Sequence, residues 1–352
     1  MESYNAFKKI KEIALQNKMA QRIFDFCGRF NVGIRASESL LDKIGANIQT
    51  GVRDSTVSPI GTIDIHEPQK YETIIRDKRY PYLTLKVNPS TGTTEYYRYN
   101  TFVRDIRVAR NGDYEVNVNT EGDEAAGLIC FRNFCNGHIS LAHTPLVHAS
   151  LVNLNGEGVL MSGDSRAGKT TLMIYLMQHL GSGLISEDNV YLEKDMKGLY
   201  FPKVPRVRFS TVRDSCLSPL LTNLQATEAT QYWDVESIER VVAEGNLDVD
   251  GGLAISRRKI AEMCEVGTSE AIQIDRVIFP SYSEGRLSFE KVDQEEGFKT
   301  LERFGREKKK DLDSRDIGAE PISLKYFERR KIRFYRLKFG GLKSLVNGGF
   351  VL

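Results

Sequence analysis

Residues 158–180, GVLMSGDSRAGKTTLMIYLMQHL, constrain the fold more than any other part of the chain. They contain the pattern G-x-x-x-x-G-K-[ST] as Gly163-Asp164-Ser165-Arg166-Ala167-Gly168-Lys169-Thr170, followed by Thr171. The glycines permit a tight backbone path on which successive N–H groups face one anion. An apolar strand must deliver the chain to this loop and a helix must leave it, with the positive helix end on the same anion. Lys169 would reach the β- and γ-phosphates and the Thr170 hydroxyl would ligate Mg²⁺. The expected ligand is therefore a nucleoside triphosphate such as ATP with Mg²⁺, cradled by residues 163–171. TLMIYLMQHL is apolar on nearly every side, so its helix should be buried.

A phosphate loop needs an acid to hold Mg²⁺ or to activate a nucleophile. Glu187 and Asp188 lie just after Leu184-Ile185, and Glu187 stands 18 residues beyond Lys169. That is where a strand alongside the loop strand would end. Two adjacent carboxylates could divide the work, one taking a proton from an attacking hydroxyl and one supporting the metal. Thr170, Glu187 and Asp188 are the candidate metal ligands. Asp275 in AIQIDRVIFP is a rival, but apolar residues continue beyond it, which suits a structural residue better.

Elsewhere the texture changes along the chain. Residues 3–28 show helical spacing through Phe7, Ile10, Ile13, Ala14, Ala20, Ile23, Phe24 and Cys27. From 31 to 120, short alternating segments such as TIDIHEP and GDYEVNVNTEGDE, with turns at PSTG and NGD, predict an antiparallel β-rich region. Residues 123–146 read as a helix broken at Pro145. LVHASLVNLNGEGVLMSG then predicts a hairpin around Asn155-Gly156. Strands are expected at 204–209, 253–256 and 272–279, and helices at 235–245 and from 295.

The net charge of +2 over 352 residues is too small to imply a polyanionic partner. Between 301 and 343, however, 14 Lys and Arg face 7 Asp and Glu. This basic segment interleaves Arg and Lys with Phe and Tyr. It could engage RNA or an acidic partner, or be a solvated helix and strand packing their aromatics, and nucleic acid is not the favoured partner. Five scattered cysteines argue against a disulfide framework and for a reducing compartment. With no secretory h-region and no long apolar run, the expectation is a cytoplasmic protein that makes no membrane span. Cys130, Cys135, His138, His143 and His148 lie close together, but Cys-x4-Cys is looser than compact zinc spacings.

HASLVNLNGEGVLMSGDSRAGKTTLMIYLMQHLGSGLISEDNV, residues 148–190, resembles the catalytic core of HPr kinase/phosphorylase and its relatives. The resemblance rests on a His at the start of a hairpin, the G-D-S-x-x-G-K-[ST] loop and the acid pair at the next strand end. It implies a P-loop kinase core of the HPr kinase C-terminal type, transferring the γ-phosphoryl group of ATP to a hydroxyl of a protein, peptide or small molecule. On that likeness Glu187 is the general base, Asp188 its acidic partner, His148 assists beside the transferred phosphate, and Gly163, Gly168, Lys169 and Thr170 bind nucleotide. The sequence departs from the family in carrying Glu as the first acid. It also lacks the R-G-x-G-type signature of the bifunctional enzymes, where Arg206 and Arg208 stand instead. Arg208 could neutralise charge developing in the transition state.

The expected fold is α/β, α+β overall, with a mixed sheet. Residues 1–122 form a helix and β-rich region, 123–305 the catalytic domain and 306–352 a basic C-terminal segment. An alternative function is a nucleotide-gated ATPase that engages a partner or nucleic acid through the basic segment. An oligomer is compatible with either.

Overall fold

The computed structural model describes residues 20–26, 30–36, 38–47, 62–66, 84–86, 94–99, 102–108, 114–118, 145–193, 195–222, 235–245, 247, 251–283, 287–305 and 331–352. The chain divides into two units, Met1–Phe131 and Arg132–Leu352.

In the first unit, the residues expected to end a helix form strand β1 (Ala20–Phe26) instead. It pairs antiparallel with β2 (Phe30–Ala36), Phe26 opposite Phe30. Residues 23–26 are all buried, so this strand is covered on both faces. A strand buried on both faces satisfies the same i, i+3, i+4 apolar spacing as a helix, which is why periodicity misassigned it. Residues 3–19 lie outside the described residues. Helix α1 (Glu38–Asn47) buries Leu41, Ile44 and Ala46. Arg22 on β1 reaches it through Glu38 at 2.5 Å and Asp42 at 2.7 Å.

Strands β3 (Thr62–His66), β4 (Thr84–Lys86), β5 (Thr94–Tyr99), β6 (Phe102–Val108) and β7 (Tyr114–Val118) complete a sheet of order β1-β2-β3-β7-β6-β5-β4. The β4 to β7 run is antiparallel, as expected, and forms a meander. The sheet as a whole is mixed, because β2–β3 and β3–β7 are parallel. Parallel neighbours need long connections, and α1 together with the meander lies in the intervening chain.

In the second unit, β8 (Leu146–Val147) leads into the hairpin of β9 (Ala149–Leu154) and β10 (Glu157–Ser162). Asn155 (φ 53) and Gly156 (φ 90) both take the left-handed conformation that a two-residue hairpin turn requires. Helix α2 (Lys169–Leu180) follows the loop, and 172–177 are buried as the apolar sequence predicts. Next come β11 (Gly183–Ser186), β12 (Val190–Leu192), β13 (Lys197–Tyr200) and β14 (Arg206–Arg208). A short helix α3 (Phe209–Arg213), a 3-10 turn (Ser218–Leu221) and α4 (Val235–Ala243) precede β15 (Gly252–Ala254), which pairs with β14 as a separate two-stranded ribbon. Helix α5 (Arg257–Met263), β16 (Ala271–Tyr282), β17 (Ser288–Val292), α6 (Gln294–Phe304), β18 (Arg333–Phe339) and α7 (Leu342–Asn347) complete the unit.

The twelve-residue β16 organises the main sheet. Its start pairs antiparallel with β13, while its later part runs parallel to β10 on one side and β18 on the other. The sheet runs β11-β9-β10-β16-β13-β12-β8, with β18 on β16 and β17 on β18. Thus β11, which leads to the acid pair, is not beside the loop strand: β9 lies between them, antiparallel to both. The ends of β10, β16 and β18 consequently face one way, the usual position for a ligand at an open α/β sheet.

The described part of the basic segment, 331–352, belongs to this sheet. Along β18, Phe334, Leu337 and Phe339 point into the core while Arg336 and Lys338 are exposed. Arg333 pairs with Glu157 at 2.8 Å and Arg336 with Glu296. Tyr175 of α2 donates to the Phe350 carbonyl at 2.6 Å, tying the C-terminal residues to the loop helix. The helix expected over 123–146 falls outside the described residues up to 144. Among the described residues, no helix is long and apolar enough to cross a membrane.

Candidate functional site

The loop between β10 and α2 curls through two left-handed residues, Arg166 (φ 70) and Gly168 (φ 95). The Ala167 N–H donates to the Asp164 carbonyl at 3.2 Å. Residues 164–166 are exposed at its tip while Lys169 is buried. The Lys169 ammonium donates to the carbonyls of Gly163 at 2.9 Å and Asp164 at 2.8 Å, so the charge is held inside the loop. A Cβ on Gly168 would stand 2.6 Å from Phe339 Cζ. The last residue of β18 is thus the floor of the loop.

The acid pair occupies the turn after β11. Thr170 Oγ1 donates to Glu187 Oε1 at 2.7 Å, so the first helical hydroxyl and the first acid already touch. Glu187 is only 8% exposed, and its Oε2 is buried without a hydrogen-bond partner. Burial, reinforced by the Asp188 charge, pushes its carboxyl up to about 7, against the opposing pull of Lys203, Thr170 and Lys169. A hydroxyl beside a carboxylate oxygen is a ligand pair of the kind Mg²⁺ takes.

Asp188 takes φ 65 and turns the other way. Its carboxylate meets His148 Nδ1 at 3.2 Å, Asn189 Nδ2 at 3.1 Å and the Lys203 ammonium. Burial alone would raise its carboxyl, but the His148 hydrogen bond and the Lys203 charge outweigh it and hold Asp188 well below the usual carboxylate range. His148 Nδ1 also lies 2.8 Å from the Asp188 carbonyl. A carbonyl only accepts, so Nδ1 carries the proton and, in the neutral ring, Nε2 keeps the lone pair. Neighbouring acids therefore sit in opposite environments, one neutral-leaning and one firmly ionised.

His148, Ser165, Arg166, Gly168, Lys169, Thr170, Thr171, Glu187, Asp188 and Arg208 all line one cavity of about 590 Å³. Gly163, Asp164 and Ala167 belong to the loop but not to its lining. The β14 ribbon brings Arg208 in, and Arg206 with it, because the two alternate around buried Val207. A Cβ on Gly252 would lie 2.4 Å from the Val207 carbonyl, so only glycine permits this ribbon.

Several residues in this wall or behind it carry no motif. Lys203 sits between Pro202 and Val204 and is recognisable only once folding sets it against Asp188. Thr211 bonds Thr171 at 2.8 Å, linking α3 to the loop helix. Tyr282, the last residue of β16, lines the mouth and is 61% exposed. Arg257, 1% exposed on α5, stacks on Tyr200 at 4.5 Å and donates to the Leu184 carbonyl at 3.0 Å, bracing the strand that presents Glu187.

The rival Asp275 is placed at the other end of the loop strand. It accepts from the Gly158 N–H at 3.1 Å, where the β10–β16 register shifts and a Cβ on Gly158 would lie 2.2 Å from the Gln273 carbonyl. Asp275→Ala should therefore cost about 1–2 kcal/mol in chemical denaturation, from the orphaned N–H, and leave nucleotide affinity unchanged in a binding titration. A changed affinity would restore it to the site.

Among the described residues, no group of three or more His, Cys, Asp and Glu could hold a metal ion. Cys130, Cys135, His138 and His143 lie outside the described residues. Compared with known proteins, the chain matches no family model and no curated protein.

Proposed function

We propose that the second unit is a P-loop phosphotransferase of the HPr-kinase-like type, moving the γ-phosphoryl group of ATP to a hydroxyl. The carrying observation is the 2.7 Å contact between Thr170 and Glu187 inside the cavity that His148, Asp188 and Lys169 also line. Loop N–H groups and the α2 N-terminus would hold the phosphates, and Lys169 would leave its carbonyl partners for the transferred charge. Thr170 and Glu187 Oε1 would hold Mg²⁺, which when bound screens the phosphate charge.

Glu187 Oε2, buried and without a hydrogen-bond partner, would accept the substrate hydroxyl proton. Asp188 is too firmly ionised to serve as well. It keeps His148 in one tautomer and holds Lys203 at the cavity. Arg208 would meet charge developing on the phosphoryl oxygens. The test is transfer of radiolabel from ATP to hydroxyl-bearing peptides and metabolites, with Glu187→Gln as control. Transfer undiminished in that variant removes the base assignment, and hydrolysis without a labelled product favours the ATPase reading.

Tyr282 gives this reading a base-side test. An exposed ring at the cavity mouth can stack on a nucleobase, worth about 1–3 kcal/mol. Tyr282→Ala should weaken ATP about tenfold or more and leave inorganic tripolyphosphate binding unchanged, as read by calorimetry. Equal losses for both ligands would show that the ring acts on the loop instead.

A further inference from the structure

Two thiols lie together away from the acids. Cys216 is in the turn after α3, and Cys264 is the residue that ends α5. Their sulfurs are 3.1 Å apart and both are free. That separation is only about 1 Å longer than a disulfide bond. Cys216 is half-buried, whereas Cys264 is 8% exposed within the apolar cluster beneath α2. The Cys216 backbone N–H is fixed by Gln178 Oε1 of α2 at 3.0 Å. Two cysteines far apart in sequence are therefore held in contact, with one of them within reach of small solutes.

We propose that Cys216 and Cys264 are a redox modification site, a dithiol that hydroperoxides convert to a reversible disulfide beside the loop helix. The inference does not depend on the phosphotransfer reading. Cys216 is the attacking thiol. The hydrogen bond from Cys264 lowers it, against the effect of burial, while the same contact and burial push Cys264 up, so Cys264 stays the donor. The Cys216 thiolate attacks the terminal, OH-bearing peroxide oxygen, the O–O bond breaks, and the leaving alkoxide takes a proton from solvent to depart as an alcohol. This leaves Cys216 as a sulfenic acid. The Cys264 sulfur then attacks the Cys216 sulfur, and hydroxide leaves with the Cys264 proton as water. Two thiols and one hydroperoxide yield one disulfide, one alcohol and one water.

The bond would close a span of 48 residues. That span carries β15, whose Gly252 and Ala254 line the cavity, and Arg257, which braces β11. Oxidation would thus staple one wall of the site to the segment that follows α3.

The experiment treats the full chain with tert-butyl hydroperoxide, blocks remaining thiols and maps peptides by mass spectrometry. The expected product is a Cys216–Cys264 crosslink, reversed by dithiothreitol, with a melting temperature higher by about 5 °C or more. Cys264→Ala should stop at a Cys216 sulfenic acid that dimedone traps, and Cys216→Ser should give neither product. Oxidation of Cys27, Cys130 or Cys135 while Cys216 and Cys264 stay reduced would overturn the proposal. So would dimedone labelling of Cys264 instead of Cys216. Because the wild-type crosslink is read directly, a poorly folding variant does not protect the idea.

Discussion

On the phosphotransfer reading, Glu187→Gln should sharply slow phosphoryl transfer and, in the same molecule, stabilise the nucleotide-free protein above pH 7. The first effect follows from removing the base and is about 10²- to 10⁴-fold in kcat. The second follows from linkage. The folded carboxyl keeps its proton to about pH 7, whereas an unfolded one loses it near 4.5. Between those values the folded state binds more protons, so stability falls as pH rises through the window, and the full penalty is present above pH 7. At about 1.4 kcal/mol per pH unit, the penalty is about 3 kcal/mol at most. Glutamine stays neutral and can still accept from Thr170, so it escapes the penalty. Asp188 works with the opposite sign, since its depressed carboxyl stabilises the fold above its unfolded value and loses that contribution on acidification. Thermal melts in EDTA at pH 5 and pH 8 check this. Wild type should fall below Glu187→Gln only at the higher pH, and parallel curves for the two proteins would mean that Glu187 is ionised throughout.

That prediction rests on a pair the sequence exposes, but its physics is a property of the fold. GDSRAGKT fixes strand, loop and helix together because each part is useless without the others, and the buried α2 follows from its all-round apolar composition. Glu187 and Asp188 stand out by spacing and His148 through the family likeness, while the contacts of Thr170 with Glu187 and of His148 with Asp188 come from the fold. Spacing could not say that β9 would separate β11 from β10, because strand order depends on long-range pairing. Nor could it find Lys203 or Arg257, which acquire meaning only from the carbonyls and carboxylates folded against them. The β1 error has a different cause: four consecutive buried residues satisfy helical and strand templates equally. The basic character of β18 was ambiguous for a third reason. Both faces of β18 carry buried rings or leucine as well as charge, and Arg333 and Arg336, on opposite faces, pair with Glu157 and Glu296.

The same strand carries the largest effect that no motif foretells. Phe339→Ala should cost about 3–5 kcal/mol, the usual range for a buried ring, because Phe339 is 1% exposed and packs under Gly168. A lost core ring would ordinarily change stability alone. Here the void opens directly beneath the left-handed turn at Gly168, so on the phosphotransfer reading nucleotide affinity should fall as well, by about tenfold or more. Gly168→Ala attacks the same contact from above. It adds a Cβ at 2.6 Å from the ring, at a φ of 95 that side chains rarely adopt. If the ring is the floor of the loop, the two substitutions must couple. With Phe339→Ala already present, the added methyl has no ring to strike and only the backbone strain remains, about 1–2 kcal/mol. The double variant should therefore lose less stability than the sum of the single ones. Denaturant unfolding of the four proteins measures this, and strict additivity would show that loop and strand do not bear on each other.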